Sequence, residues 1–147
     1  MNIELHPIKE FLSENTELLD HPDCKEGLEM SVLFYSRVGY SIPWIGYYVK
    51  LKSEFVGSAG FKGRPLNNQV EIAYGTFPSW QHKGIGSLIC RALVQLAKNT
   101  DPSVRIMART LMEENYSVRI LRKNGFEWKG KVIDPDDGEV WEWEYKD

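Results

Sequence analysis

The run Val70–Lys98, VEIAYGTFPSWQHKGIGSLICRALVQLAK, constrains the fold more than any other stretch of the chain. Val70, Ile72 and Tyr74 alternate with Glu71 and Ala73, the period of a strand. Phe77-Pro78-Ser79-Trp80 breaks that period, and Gln81–Ser87 carries two glycines one residue apart. Ile85, Leu88, Ile89, Ala92, Leu93 and Leu96 then recur at helical spacing. The stretch reads as strand, glycine loop, helix, with the helix beginning inside the loop. The first turn of a helix leaves backbone N–H groups unpartnered at the positive end of the macrodipole. Glycines let a ligand come close to that backbone, and a pyrophosphate suits such a place. The loop is neither of the common nucleotide motifs. No Gly-x-x-x-x-Gly-Lys-Ser/Thr run is present, and Ile89 stands where a dinucleotide fingerprint needs a small residue.

The 147 residues suffice for one domain with a real core, so residues 1–147 are expected to form a single domain. A net charge of −3 gives no reason to expect nucleic acid or an anionic membrane as partner. No apolar run spans a bilayer and no signal-peptide pattern opens the sequence, so a cytoplasmic location is expected. Cys24 and Cys90 fit a reducing compartment, with Cys90 beside the apolar stripe of the central helix. His21-Pro22-Asp23-Cys24 lacks the further ligands of a metal site, and no metal is expected.

Residues 2–5 read as a short strand. Between Pro7 and Tyr40 two helices are expected, one on the stripe Ile8, Phe11, Leu12 and one on Leu28, Val32, Tyr35. Trp44–Leu51 and Phe55–Phe61 read as a hairpin turning at Lys52-Ser53-Glu54. Val104–Thr110 follows the central helix as a strand, and Asn115–Asn124 reads as a short helix ended by Gly125. Phe126–Ile133 and Glu139–Tyr145 form a last hairpin, with Trp141, Trp143 and Tyr145 on one face and Glu142 and Glu144 on the other. A helix between two strands usually makes them parallel. The expected fold class is α+β: a mostly antiparallel sheet with one central parallel pair, flanked by helices.

Gln81–Gly86 fits Gln/Arg-x-x-Gly-x-Gly/Ala and resembles the acyl-CoA pyrophosphate loop of the GNAT superfamily of N-acetyltransferases. Ser117–Phe126 resembles the pattern Ser-x-x-x-Leu-x-Lys-x-Gly-Phe of the branch containing the ribosomal-protein N-terminal acetyltransferases, as do Glu71-Ile72-x-Tyr74 and the final Val-Trp-x-Trp. The resemblance runs from Trp44 to the C-terminus. It implies a sheet splayed around acetyl-CoA at its central parallel pair. It also implies acetyl transfer to a primary amine, either a protein or peptide N-terminus or a small molecule.

The same resemblance implies roles for single residues. Glu71, out of phase with the apolar strand positions, would be the general base. Ser117 would protonate the leaving thiolate; Tyr116 lies about 100° around the helix from it and is the alternative donor. Backbone groups of Thr76 and Phe77 would pair with the pantetheine arm. Gln81, His82, Lys83, Gly84, Ile85, Gly86 and Ser87 would hold the pyrophosphate, and Asn115 would touch the cofactor. Two positions depart from the family pattern. Leu121 stands where many members carry a thiolate-protonating Tyr, and Glu114 stands where the branch favours Asn. The other functional class to weigh is a non-catalytic CoA-binding or sensing domain on the same fold. Exposed sheet edges permit a homodimer without requiring one.

Overall fold

The structure is a computed structural model that describes residues 2–147. Seven strands form one sheet: β1 (Ile3–Pro7), β2 (Gly46–Leu51), β3 (Glu54–Phe61), β4 (Gln69–Thr76), β5 (Arg105–Thr110), β6 (Phe126–Asp134) and β7 (Gly138–Tyr145). Their order across the sheet is β1-β2-β3-β4-β5-β7-β6. Every pairing is antiparallel except β4 with β5. The expected α+β sheet with one central parallel pair is therefore the fold observed.

The crossover between those parallel strands is α3 (Ile85–Thr100). Its buried face is Ile85, Ile89, Cys90, Leu93, Val94 and Ala97. The apolar stripe is thus turned slightly from the one expected, with Cys90, Val94 and Ala97 inward in place of Leu88, Ala92 and Leu96. Fully burying a side chain such as Leu93 or Ile89 is worth about 1.5–3 kcal/mol. This face packs on Val70 and Ile72 of β4 and Ile106 of β5 within one continuous core. The short α4 (Tyr116–Lys123) packs on α3 and ends at Gly125, whose φ of +88° closes it as expected.

The segment before α2 (Lys25–Val38) departs from the expected pair of helices. Ile8 is buried at the end of β1, whereas Phe11 is 61% exposed beside a 3-10 turn at Leu12–Glu14. Only the four-residue α1 (Thr16–Leu19) follows. The buried Asn15 explains the difference. Its Oδ1 accepts from Lys9 N–H at 2.8 Å, and its Nδ2 donates to the Lys9 and Phe11 carbonyls at 3.2 and 3.0 Å. A side chain that satisfies local backbone groups in this way competes with helix formation.

Tyrosine hydroxyls fasten helix α2 to the other face of the sheet: Tyr48 Oη donates to the Cys24 carbonyl at the start of the helix at 2.8 Å, and Tyr35 holds its far end. Tyr35 Oη donates to the Ile8 carbonyl and accepts from Gly46 N–H, both at 2.9 Å. Tyr35→Phe leaves that N–H without its partner, and should lower stability by about 1–3 kcal/mol. An unchanged urea midpoint would remove Tyr35 as a fastening point.

Among the described residues no helix covers the part of this second face formed by β5 and β7, and ion pairs occupy it. Arg105 grips Glu144 through two hydrogen bonds of 2.9 Å, and that grip holds the Glu144 carboxyl down at about 2 against a usual 4.5. A carboxyl depressed in the folded state stabilises it above the unfolded value and ceases to do so as pH falls. Stability should therefore decline as pH drops from about 4.5 toward 2. Glu144→Gln should flatten that part of the melting-temperature profile; an identical profile would place the acid sensitivity elsewhere.

Candidate active site

Strands β4 and β5 pair only from Gln69↔Arg105 to Ile72↔Ala108. Beyond that point β4 continues to Thr76 alongside β3, while Arg109 and Thr110 continue alongside β7. The parallel pair opens into a wedge. The Glu71 carbonyl accepts from Lys62 N–H, and Phe77 N–H donates to the Val56 carbonyl, so odd positions along β4 turn their backbone toward β3. By strand alternation, Tyr74 and Thr76 present theirs to the wedge. Phe77 is turned away, and its carbonyl accepts from Trp80 N–H. Tyr74 was not among the expected backbone contacts; counting parity along the strand identifies it.

The glycine loop lies at the mouth of the wedge. Gln81 Nε2 donates to the Thr76 carbonyl at 3.1 Å and ties the loop to the strand end. His82 and Gly84 take positive φ of 62° and 81°, which bends the chain into α3. The hydrogen bond that opens the helix runs from Leu88 N–H to the Gly84 carbonyl, leaving the N–H groups of Ile85, Gly86 and Ser87 ahead of it. A Cβ on Gly84 would meet nothing within 4 Å, whereas one on Gly86 would lie 2.8 Å from Ile120 Cδ1. Gly84 therefore faces open space, and Gly86 allows α3 and α4 to approach closely. The Ile85 and Ser87 side chains are buried, and Ser87 Oγ accepts from Asn124 Nδ2 at 3.1 Å, so only their backbone faces the loop. His82 stacks edge-on against Tyr116 with ring centres 5.4 Å apart, and Lys83 is exposed.

Three cavities meet here. A cleft of about 300 Å³ runs between the loop and α4, past Thr76, Gly86 and Ser117. A larger cavity of about 530 Å³ lies under α2, floored by Ser58, Gly60, Ala73 and Gly75, with Phe34 above and Asp136 contributing to its lining. Between them, in the wedge, a cavity of about 120 Å³ is lined by Glu71, Lys62, Arg109 and Ser117. Tyr74 lines all three. Burial raises the pKa of the Tyr74 hydroxyl and of the neighbouring Cys90 thiol, the thiol to about 11. Both groups therefore stay protonated at neutral pH.

Glu71 and Ser117, far apart in sequence, thus share one cavity. The Glu71 side chain is 19% exposed and ion-paired, with Lys62 Nζ at 3.0 Å and Arg109 Nε at 3.7 Å. Arg109 also binds Asp134 at 3.1 Å and Glu142 at 3.3 Å. Neither Lys62 nor Arg109 carried a sequence signal, since each becomes significant only through its neighbour across the sheet. At the start of α4 the cap is Asn115, whose Oδ1 accepts from Val118 N–H at 3.1 Å. That bond occupies the Asn115 oxygen with helix capping and leaves the exposed Ser117 hydroxyl out of the cap.

The wedge and loop offer what an acyl-CoA needs. The β4 edge can pair with an amide-bearing arm, the N–H groups ahead of α3 suit a pyrophosphate, and the cleft joins them. Among the described residues no group of three or more His, Cys, Asp or Glu side chains is placed to hold a metal ion. Likewise, no described helix is long and apolar enough to cross a membrane.

Solved structures share this architecture. RimL, a ribosomal alpha-N-protein acetyltransferase in complex with coenzyme A, is 19% identical with a TM-score of 0.69, the match covering 98% of this chain and 93% of that one. The aminoglycoside acetyltransferase AAC(6')-Ib, in complex with paromomycin and acetyl-CoA, is 23% identical with a TM-score of 0.71, covering 99% and 94%. A chimera of spermidine N-acetyltransferase SpeG from Vibrio cholerae and hSSAT is 12% identical with a TM-score of 0.70, covering 99% and 95%. At these identities the likeness concerns the fold. A sequence search of curated proteins gives no match. The model of the acetyltransferase (GNAT) domain matches residues 16–127. The chain therefore belongs to the GNAT family of acyl-CoA-dependent N-acetyltransferases.

Proposed function

We propose that residues 1–147 act as one domain that transfers the acetyl group of acetyl-CoA to a primary amine by direct attack, with Glu71 as general base and Ser117 as general acid. The observation that carries this reading is the small wedge cavity. Glu71 and Ser117 both line it, and it borders both the cleft at the glycine loop and the cavity under α2 through the shared Tyr74. Acetyl-CoA supplies an activated acetyl thioester. Backbone N–H groups from His82 to Ser87 hold its pyrophosphate, with Lys83 adding positive charge, and the Tyr74 and Thr76 backbone aligns its arm. Gln81 fixes the loop for that task. An ammonium cannot attack, so Glu71 takes the proton that the acceptor must shed. Ser117 meets the departing sulfur with a proton.

The acceptor enters from the cavity under α2, whose aromatic wall and carboxylate suit an amine on an apolar or cationic body. The structural neighbours act on protein N-termini, aminoglycosides and spermidine by their names, so both a peptide N-terminus and a small amine remain within the reading. A cytoplasmic protein working without metal, nucleic acid or membrane, alone or as a homodimer, fits it.

One observation favours a second reading. Lys62 and Arg109 both face Glu71, and this arrangement also suits a structural carboxylate in a non-catalytic CoA-binding domain. Glu71→Gln separates the two. If Glu71 is the base, CoA affinity should persist while turnover with amines falls by about 10²–10⁴-fold. Turnover left intact would remove Glu71 from the mechanism.

Gly84→Val tests the loop. A β-branched residue at φ +81° is strained and projects into the space reserved for the pyrophosphate. CoA affinity measured by calorimetry should fall by at least about tenfold, that is about 1.4 kcal/mol. An unchanged affinity would move the pyrophosphate off this loop.

A further inference from the structure

The wedge cavity already contains a primary amine. Lys62 directly follows β3, and its N–H donates to the Glu71 carbonyl at 2.8 Å, which fixes it opposite Glu71. Its side chain is 40% exposed, yet its Nζ turns in to lie 3.0 Å from Glu71 Oε2. Lys62 lines both the cavity under α2 and the wedge cavity that Ser117 also lines. No other lysine among the described residues lines any of the three cavities. Lys50 is engaged by Glu17, and Lys98 donates to the Val104 carbonyl.

We propose that Lys62 is an internal acceptor, and that without a competing amine the protein transfers one acetyl group from acetyl-CoA to its own Lys62 Nζ. The inference rests on the reading of Glu71 as base. The Lys62 ammonium gives a proton to the Glu71 carboxylate beside it. The freed nitrogen lone pair forms a bond to the acetyl carbon, and the carbon–sulfur bond breaks. The sulfur leaves with that electron pair and is protonated from the Ser117 side, while the remaining nitrogen proton in excess of the amide passes to water. The product is a neutral amide that no longer pairs ionically with Glu71. Holding amine and base in contact makes the reaction unimolecular in the loaded protein, which distinguishes Lys62 from any lysine met by collision. An external amine would displace the Lys62 ammonium from Glu71 and take the acetyl group instead.

The test incubates the purified full chain with acetyl-CoA alone and follows intact mass and the modified peptide. The expected result is one acetyl group, on Lys62, formed at a first-order rate independent of protein concentration. It should be absent in Lys62→Arg, slowed by about a hundredfold in Glu71→Gln, and suppressed by an added acceptor amine. Circular dichroism on both variants checks that they fold. Acetylation spread evenly over surface lysines, a rate proportional to protein concentration, or full modification of Glu71→Gln would overturn the inference. Turnover of external amines with Lys62 left unmodified would overturn it while sparing the proposed function. Acetyl transfer to no amine, internal or external, by a chain that binds CoA would overturn both.

Discussion

Everything in the candidate site depends on where the parallel pairing of β4 and β5 stops. Backbone groups inside a fold need partners, and a strand edge left open must find them outside the ladder. Here the edge of β4 at Tyr74 and Thr76 is left open by design of its neighbours. β3 holds β4 on one side as far as Thr76, and β7 holds β5 on the other as far as Thr110. Each strand is kept in place from outside, so the wedge stands open with no contact needed across it. The same short segment then leads from the end of β4 to the free N–H groups ahead of α3. An unpaired edge and a positive helix end therefore converge on one ligand.

Charge is distributed as unevenly as pairing. One face of β4 and β5 is apolar and buried under α3, while the other carries Glu71, Arg109 and Arg105 against Glu142, Glu144 and Asp134 of the last hairpin. Glu71 is the carboxylate of this network that borders the wedge cavity, with Arg109 beside it. Its electrostatic surroundings are set by Lys62, directly after β3, together with residues of β5, β6 and β7. Charges that are partly buried and mutually hydrogen-bonded contribute little net stability but resist rearrangement, because removing one partner strands the other.

The parts of the site legible in the sequence are those governed by local rules. The alternation of Val70, Ile72 and Tyr74, the paired glycines and the stripe from Ile85 onward all report on near neighbours, and the central fold followed from them. The first helix expected from the sequence does not form, because Ile8, Phe11 and Leu12 mimic a stripe while the competing influence, the side chain of Asn15, acts through polar bonds that apolar periodicity does not register. The partners of Glu71 were illegible for another reason. Lys62 and Arg109 reach it only through strand register, which couples residues distant in the chain. Asn115 lies between these cases: its capping bond is local, but the family pattern drew attention to a cofactor role instead.

The placement of β7 has a consequence for how the chain is made. The last strand in sequence lies between β5 and β6, so β5 has no outer neighbour until residues 138–145 have been synthesised. Before then a nascent chain carries the apolar strand β5 with one edge bare, and only then can the outer wall of the wedge set. Such long-range pairing is slow and leaves sticky edges exposed in the interim. The cofactor pocket is thus completed only after the other six strands have been made, and a ribosome-bound chain lacking β7 would display half an active site.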